Sequence, residues 1–552
     1  MKTQGFLLLA VAAFALAQGP PPAPSREAPV KDVPFQRILG AKQDPGNWLT
    51  YSGNLNSQRH SELKLITPDN AKDLVLKWVF QSRSLEKHEV TPLVVDGVMY
   101  TIQSPNDVIA LDAATGRTIW TYAHKPAPET KNPCCGNLTR GVAILGDKLF
   151  LATLDAQMIA INARTGKEIW KVQVADYKDQ YSMTHAPLVI KDKVIAGVAG
   201  GEHGIRGFIA AWDANTGKEV WRFNTVPGPG EPGFETWLGP DGKPNDSWQH
   251  GGAPIWVTGS YDPDSNLTYW GTGNAGPDWD GDARLGDNLY SSSVIALDAD
   301  TGKLKWHYQF SPHNEFDWDA TQVPVLADIQ FQGRARKTML WANRNGMFYV
   351  LDRTTGEFLQ GKPFTKVNWA DGFDAKGRPI LVASVKPTKE GTLVYPGNQG
   401  GTNWYNPSFS PATGLFYIPA WENTSSTYWK GEAPPEFHAG ANFSGPFPRS
   451  GNNSEDIFSS IIAIDPNTGA RKWTHRMAAT NTEGGVLTTA SNLLFSGDRD
   501  GGFFALDART GRSLWETNLG KTVSAGPMTF TVNGKQYVSI QAGSALFTFG
   551  LR

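Results

Sequence analysis

A turn motif that recurs along the chain constrains the fold more than any other sequence feature. A short apolar segment is followed by Asp-x-x-Thr-Gly and then by a second segment that carries a tryptophan. We expect the aspartate side chain to cap the turn and the glycine to take a positive φ. About four strands fit into each interval of roughly 40–50 residues, which is the size of a propeller blade. The six full copies span residues 110–120, 160–170, 213–221, 298–306, 465–473 and 507–515.

Two weaker copies extend the repeat. Residues 351–356 lack the tryptophan, and residues 412–417 keep only Ala-Thr-Gly before an aromatic pair. Because helical periodicity is nearly absent, the sequence predicts an all-β fold: an eight-bladed β-propeller with tryptophan-docking repeats, forming one domain over residues 46–552. Two insertions rich in Gly and Pro, residues 224–247 and 421–456, interrupt the repeat, and we expect them to extend over one face of the propeller.

The N-terminus resembles an export signal. A basic start precedes an apolar run over residues 6–17, which is too short to span a bilayer. We therefore predict a signal peptide at residues 1–17, with an uncleaved anchor as the alternative, and a Pro-rich lead-in at residues 18–45. No other segment is long and apolar enough to predict a membrane span. The formal net charge of -2 gives no basis for a nucleic-acid partner.

The chain has 2 cysteines, Cys134 and Cys135, which are neighbours. Neighbouring Cα atoms lie about 3.8 Å apart, below the usual disulfide range of about 4.4–6.8 Å. A disulfide here would close a very small ring and constrain little of the unfolded chain. Two interpretations stay open: a pair of buried thiols, or a rigid, flat and polarizable surface on which a ligand lies.

The repeat, the cysteine pair and the Asn-x-x-Arg-Gly that follows it resemble the pyrroloquinoline quinone (PQQ) alcohol dehydrogenases, which include periplasmic methanol and ethanol dehydrogenases. The likeness runs from about residue 44 to about residue 543. It implies a disulfide between Cys134 and Cys135 that lies against one face of the quinone. Trp248, in Ser-Trp-Gln-His-Gly-Gly, resembles the tryptophan that stacks on the other face.

The resemblance also implies residues that bind the cofactor's carboxylates and oxygens. Arg140 matches the carboxylate-binding arginine, and Arg344 resembles the arginine that bonds the quinone oxygens. Ala199 departs from the family, where a serine often binds a PQQ carboxylate, and Glu483 occupies a region where many members have a tryptophan. The other positions that match cofactor contacts are Glu89, Thr184, Gly200, Gly201 and Asn403.

The same resemblance implies a metal site with oxygen ligands, which suit a hard cation. Glu202, Asn274 and Asp317 match the family's ligands, and Asp317 also matches its catalytic base. Asp319 matches an additional aspartate that lanthanide-dependent members have and calcium-dependent members lack. Three carboxylates would balance three positive charges, so we expect a lanthanide(III) ion, with calcium as the alternative. The other interpretation of Asp319 is a turn cap near Thr321.

The implied function is the oxidation of primary alcohols to aldehydes in the periplasm, by hydride transfer to metal-bound PQQ. The sequence has no Cys-x-x-Cys-His haem motif, so we expect a separate periplasmic cytochrome c to accept the electrons. A homodimer is left open. The alternatives are a non-catalytic propeller of the cell envelope and a PQQ dehydrogenase for sugars or polyols. A scaffold would not need the cysteine pair together with Glu202, Asn274, Asp317 and Asp319.

Overall fold

The computed structural model describes residues 27–130, 136–433, 435–450 and 457–552. Eight antiparallel sheets in this part of the chain form the blades of a β-propeller, which confirms the predicted fold. Two strands precede the first blade: β1 (His60–Ser61) and β2 (Leu74–Gln81). Blades 1 to 4 contain, in chain order, β3 (Leu93–Val95), β4 (Val98–Gln103), β5 (Asp107–Asp112) and β6 (Thr118–Tyr122); β7 (Ala143–Leu145), β8 (Lys148–Ala152), β9 (Gln157–Asn162) and β10 (Glu168–Gln173); β11 (Leu188–Ile190), β12 (Lys193–Gly197), β13 (Phe208–Asp213) and β14 (Glu219–Asn224); and β15 (Ser260–Asp262), β16 (Leu267–Gly271), β17 (Ser293–Asp298) and β18 (Leu304–Gln309).

The second half of the chain forms the other blades and an inserted pair of small sheets. Blade 5 contains β19 (Val325–Phe331), β20 (Arg334–Ala342), β21 (Met347–Asp352) and β22 (Phe358–Pro363). The inserted strands are β23 (Ala370–Phe373), β24 (Pro379–Leu381), β25 (Thr392–Val394), β28 (Ser426–Tyr428) and β29 (Arg449–Ser450). Blades 6 to 8 use β26 (Ser408–Ser410), β27 (Leu415–Glu422), β30 (Phe458–Ile464) and β31 (Arg471–Arg476); β32 (Leu487–Thr489), β33 (Leu493–Gly497), β34 (Gly502–Asp507) and β35 (Ser513–Asn518); and β36 (Met528–Val532), β37 (Lys535–Ala542) and β38 (Ala545–Leu551).

The N-terminal strands close the ring. Strand β2 pairs with β38 and supplies the fourth strand of blade 8, and β1 adds to blade 7 beside β32. Blade 8 therefore has no repeat turn, because its last two strands come from opposite ends of the chain. The weak copy at residues 412–417 was interpreted as an eighth repeat, and this was wrong. It is the turn between β26 and β27 in blade 6, whose own repeat turn follows β30. The structure has eight blades because strands from both ends of the chain form blade 8, and not because residues 412–417 form a repeat turn.

In the described part of the chain, tryptophans on the outer strands join six of the eight blades to the next blade, whereas the turn glycine of blade 6, Gly469, meets Lys362 and Gln360 of blade 5. Trp221 Nε1 donates to the carbonyl oxygen of Ala299, 3.1 Å away. Its ring lies against Gly302, whose φ is +68°, and a Cβ on that glycine would come within 2.5 Å of the ring. Trp78 of β2 makes the same contact with the turn of blade 1 at Gly116. Blade 8, which contains both chain ends, is therefore joined to blade 1 by the same tryptophan contact. The repeat thus encodes contacts between blades as well as turns within them.

Part of the predicted lead-in packs on the propeller. Val33 and Gly146 exchange two backbone hydrogen bonds of 2.8 Å each. The single turn of helix α1 (Phe35–Leu39) buries Ile38. The predicted signal peptide at residues 1–17 lies outside the described residues. Among the residues that the structure describes, no helix has the length and apolar composition that a membrane span requires. The short 3-10 helices are Ala41–Gln43, Ala71–Asp73, Tyr177–Asp179, Gly201–His203, Phe234–Thr236, Ser247–His250 and Gly281–Ala283.

Candidate active site and metal centre

The propeller topology explains why distant residues meet at one place. Strand 1 of each blade is the buried inner strand, as in β3 and β11. Because the blades are antiparallel meanders, the start of strand 1 and the loop between strands 2 and 3 open on the same face. Glu89, Arg140, Thr184, Asp317, Asp319 and Asn403 lie three to eight residues before the first strand of their blades. Glu202, Asn274 and Arg344 lie two to five residues after a second strand. The predicted site residues therefore gather on one face near the axis.

Arg140 is the centre of one half of the site. Its Nη2 lies 2.7 Å from Glu89 Oε2, and both side chains are almost fully buried. Its Nη1 donates to the carbonyl oxygen and to Oγ1 of Thr184, at 3.3 Å each. The guanidinium carbon lies 5.0 Å from the Trp256 ring centre and 4.5 Å from that of Trp404. Glu89, Arg140 and Thr184 thus form one group, and their contact with a cofactor stays a prediction.

A second ion-pair group continues from Glu89 to the opening of the site. Lys87 Nζ lies 2.9 Å from Glu89 Oε1 and 2.9 Å from Glu483 Oε2. Arg499 Nε lies 3.6 Å from Glu483 Oε1. Glu483 occupies a region where many members of the family have a tryptophan. It therefore places a carboxylate, paired with Lys87, beside the predicted cofactor contacts.

Arg344 is the centre of the other half. Its Nη2 donates to Asp317 Oδ2 at 2.9 Å, and its Nη1 lies 3.7 Å from Asp319 Oδ2. Its Nε donates to the carbonyl oxygen of Asn398, and its own carbonyl oxygen accepts from Gly401. The loop that holds Arg344 also carries Asn403, whose Nδ2 donates to the carbonyl oxygen of Gln399. Asp319 faces Arg344 and the site, which does not favour the interpretation as a remote turn cap.

The structure places Trp248 and Trp256 in different surroundings. Trp248 packs in a small cluster with Val226 and Trp237, and its ring lies 4.6 Å from the Arg206 guanidinium carbon. Trp256 instead donates from Nε1 to Asp319 Oδ2 at 2.8 Å. Sequence reasoning missed Trp256, although its position four residues before β15 matches that of Glu89 before β3 and Thr184 before β11. The contact with Asp319 makes Trp256 a candidate for the stacking role that the sequence gave to Trp248, and that role stays a prediction.

The metal-ligand candidates lie on three loops that contact one another. The Asn274 backbone N–H donates to Asp319 Oδ1 at 2.5 Å. Glu202 lies in the short helix Gly201–His203, and its carbonyl oxygen accepts from Phe443 of the second insertion at 2.7 Å. Gly200 and Gly201 leave no room for a side chain, because a Cβ would lie 2.4 Å from Gln180 and 2.9 Å from Pro254. These glycines position the Glu202 loop, and their contact with a cofactor stays a prediction.

One carboxylate near this group was missed from the sequence. Asp278 follows Asn274 by four residues and is only 7% exposed. Burial, followed by the charge of Asp317, raises the pKa of Asp278 well above its usual range, and Glu202 and Asp319 act in the same direction. Burial also raises the pKa of Asp319, and it raises that of Asp317 to about 7 although Arg344 opposes the shift. Four acidic groups therefore influence one another, with Arg344 hydrogen-bonded to Asp317 and the charge of Arg284 acting on Asp278.

This donor set fits both implied groups. Arg140 Nε and Ser182 Oγ are buried without a hydrogen-bond partner among the described residues, so donors remain for an anionic ligand. Carboxylate and amide oxygens are the ligands that a hard cation prefers. Within the described ranges, no three His, Cys, Asp or Glu side chains converge closely enough to hold an ion alone. Cys134 and Cys135 lie outside the described residues.

Comparison with known proteins identifies the class. The family profile "PQQ: Glucose/ethanol/alcohol dehydrogenase, beta-propeller domain" matches residues 48–368 and 476–538. A 1-butanol dehydrogenase (cytochrome c) from Thauera butanivorans is 37% identical over 90% of this chain and 74% of its own. The lanthanide-dependent methanol dehydrogenase of Methylacidiphilum fumariolicum is 36% identical over 92% of this chain and 86% of its own. The structure of a europium-containing methanol dehydrogenase has a TM-score of 0.87 and 33% identity, covering 94% of this chain and 100% of that one.

An eight-bladed propeller with a buried arginine and carboxylate site on one face defines a quinoprotein type of dehydrogenase. The chain belongs to the PQQ-dependent alcohol dehydrogenase family. PQQ and a metal ion are the cofactors of this family, and the donor set described above fits both.

Proposed function

We propose that this protein oxidises primary alcohols to aldehydes, with PQQ and a lanthanide(III) ion as cofactors. Three successive side-chain contacts support this most strongly: Trp256 with Asp319, Asp319 with Arg344, and Arg344 with Asp317. They connect the proposed stacking ring and the additional aspartate to the arginine directed at the quinone and to the candidate base. A propeller that served only as a scaffold would gain nothing from burying these charges. Calcium is the alternative ion, and sugars or polyols are the alternative substrates.

The chain's own residues would perform the acid–base part of the reaction. When bound, PQQ supplies the two-electron acceptor and the metal ion supplies a Lewis acid. Asp317 would accept the proton of the substrate hydroxyl, and Arg344 at 2.9 Å keeps that carboxylate oriented. Arg140, Thr184 and the partly exposed Lys87 would hold the cofactor's carboxylates. Arg344 and Asp319 are buried, which would limit the access of water to the groups beside Asp317.

Export and the electron acceptor belong to the same proposal. A signal peptide at residues 1–17 would bring the chain to the periplasm, where a cytochrome c would accept the electrons. The similarity to the 1-butanol dehydrogenase (cytochrome c) from Thauera butanivorans supports this acceptor.

The test is dye-linked oxidation of 1-butanol by the PQQ-loaded protein and its Asp317→Asn variant. With PQQ and the metal ion at saturating concentrations, we expect the variant to lose about 10²–10⁴-fold in kcat, the usual contribution of a general base. Asp328→Asn is the matched control, because the Asp328 side chain is 70% exposed and forms an ion pair with Arg353. An unchanged kcat for Asp317→Asn would refute the assignment of the base.

A further inference from the structure

The loop that carries Glu202 has little conformational preference of its own. Glycines stand on both sides of Glu202, and the φ angles of Gly200 and Gly204 are +118° and +69°. Glycine reaches the left-handed region without a steric penalty, but it also gives the backbone many other conformations. Inside the loop, the N–H groups of His203 and Gly204 donate to the carbonyl oxygens of Gly200 and Gly201 at 3.0 Å each. Contacts from neighbouring segments are therefore needed to fix the direction of Glu202.

The second insertion supplies such contacts. The backbone N–H of Phe443 donates to the carbonyl oxygen of Glu202 at 2.7 Å. The rings of Phe437 and Phe443 both lie against Gly204, where a Cβ would come within 2.9 Å of the first ring and 3.0 Å of the second. Phe443 is only 7% exposed. The insertion and the Glu202 loop therefore pack directly on each other, although they are far apart in the chain.

His250 completes the contact. Its ring stacks on that of Phe437, with centroids 3.5 Å apart and an angle of 14° between the planes. Its Nδ1 lies 3.0 Å from the carbonyl oxygen of Gly204, so one side chain contacts both the loop and the insertion. The Phe443 ring packs edge-on against the other two, with centroids 5.7 Å from Phe437 and 6.4 Å from His250. We call Phe437, Phe443 and His250 the aromatic clamp.

The residue after Phe443 reaches a second candidate loop. The carbonyl oxygen of Ser444, a buried residue, accepts a hydrogen bond of 2.9 Å from the N–H of Trp279. Trp279 lies on the loop after β16 that also carries Asn274. One short stretch of the insertion is thus bonded to the loops of both Glu202 and Asn274. The distance between these two loops therefore depends in part on the insertion.

We propose that the aromatic clamp is a positioning element for Glu202. Stacking of Phe437 on His250 holds the insertion against the loop, and the Phe443 N–H then fixes the backbone of Glu202. The residues of the clamp act through the Glu202 loop, so they are positioning residues. The inference rests on the proposed function, because Glu202 is a residue of the candidate metal centre.

Hydrogen–deuterium exchange, followed by mass spectrometry, tests the clamp without any cofactor. The reporter is a peptide that contains the N–H groups of His203 and Gly204, which are hydrogen-bonded within the loop. In the cofactor-free protein, we expect Phe437→Ala to raise their exchange rate by about fivefold or more, because the stacked ring is lost and the loop opens more often. Phe437→Tyr keeps the ring and is expected to stay within about twofold of the wild-type rate.

Phe447→Ala is the matched control. Phe447 lies in the same insertion and is 72% exposed, and its ring packs on Trp279 with centroids 4.8 Å apart. We expect this variant to keep the exchange rate of the reporter peptide within about twofold of the wild type. If Phe437→Ala does not fold, Phe437→Leu replaces it, since leucine keeps apolar volume but has no ring to stack on His250.

A second measurement connects the clamp to the cofactors. La³⁺ is added to the PQQ-loaded protein, and the exchange of the same peptide is recorded as a function of La³⁺ concentration. We expect La³⁺ to slow the exchange, and we expect Phe437→Ala to need about fivefold more La³⁺ for half of the effect. The reason is that a loop which is correctly placed for a smaller fraction of the time has a weaker apparent affinity.

The outcomes separate the clamp from the proposed function. Unchanged exchange in Phe437→Ala, or an equal rise in Phe447→Ala, would overturn the positioning role. Faster exchange with an unchanged La³⁺ dependence would overturn it as well, because the loop would then be loosened without an effect on Glu202. If PQQ and La³⁺ left the exchange of the wild-type peptide unchanged, the proposed function would be contradicted, and exchange in the cofactor-free protein would still decide whether the clamp fixes the loop.

Discussion

The assignment of the stacking tryptophan leads to a prediction about metal affinity. Trp256 Nε1 donates to Asp319 Oδ2 at 2.8 Å, so Trp256→Phe keeps a smaller aromatic face and removes this donor. A hydrogen bond to a charged acceptor contributes about 1.5–3 kcal/mol. Because the Trp256 ring is partly exposed, we take the lower end, which corresponds to about tenfold weaker metal binding. Loss of an outer contact to a metal ligand has effects of about 10–100-fold in other proteins.

Isothermal titration calorimetry of La³⁺ into the PQQ-loaded protein measures this change. The control is Trp248→Phe, since Trp248 contacts Arg206 and the Val226 cluster. We expect La³⁺ affinity in the control to match the wild type. The reasoning is refuted if Trp256→Phe binds La³⁺ as tightly as the wild type, or if Trp248→Phe shows the larger loss.

Two further predictions concern the blades and the opening of the site. Gly302→Ala is expected to lower Tm, measured by calorimetry, by about 3 °C, because the alanine has a left-handed φ penalty of about 1–2 kcal/mol and displaces Trp221. Gly414→Ala is the control, since Gly414 has the same φ of +68° and no neighbour within 4 Å of its Cβ position. We expect this control to lower Tm by about 1 °C. Equal shifts would show that tryptophan docking contributes little. Lys87→Met is expected to weaken PQQ binding about fivefold in an absorbance titration, because it removes a partly screened positive charge near the cofactor carboxylates. Tighter PQQ binding by the variant would mean that Lys87 instead blocks the site.

The sequence predicted the features that depend on local chemistry. Turn chemistry revealed the blades, and the short motifs around Arg140 and Arg344 pointed to two arginines that the structure places beside other candidate site residues. It failed where the outcome depends on contacts between distant segments. Blade 8 joins β38 to β2, and no local pattern marks that pairing. An aspartate such as Asp278 is most often solvated, and only the approach of the Gly201 and Asp319 segments buries it.

Trp256 was missed for a different reason. The sequence has 20 tryptophans, and a neighbouring motif drew the assignment to Trp248. The spacing to the first strand of the blade would have distinguished the two residues, since Trp256 precedes β15 by four residues. That criterion requires the strand boundaries, which local patterns define poorly.

The most direct test of the account is alcohol oxidation by the purified protein with added PQQ, in a dye-linked assay with ethanol and 1-butanol. Three preparations are compared: one without added metal, one with Ca²⁺ and one with La³⁺. The account predicts bound PQQ and aldehyde formation with La³⁺, and little or none in the other two. Activity with Ca²⁺ alone would contradict the lanthanide site, and the absence of both PQQ binding and activity in all three would contradict the enzyme assignment.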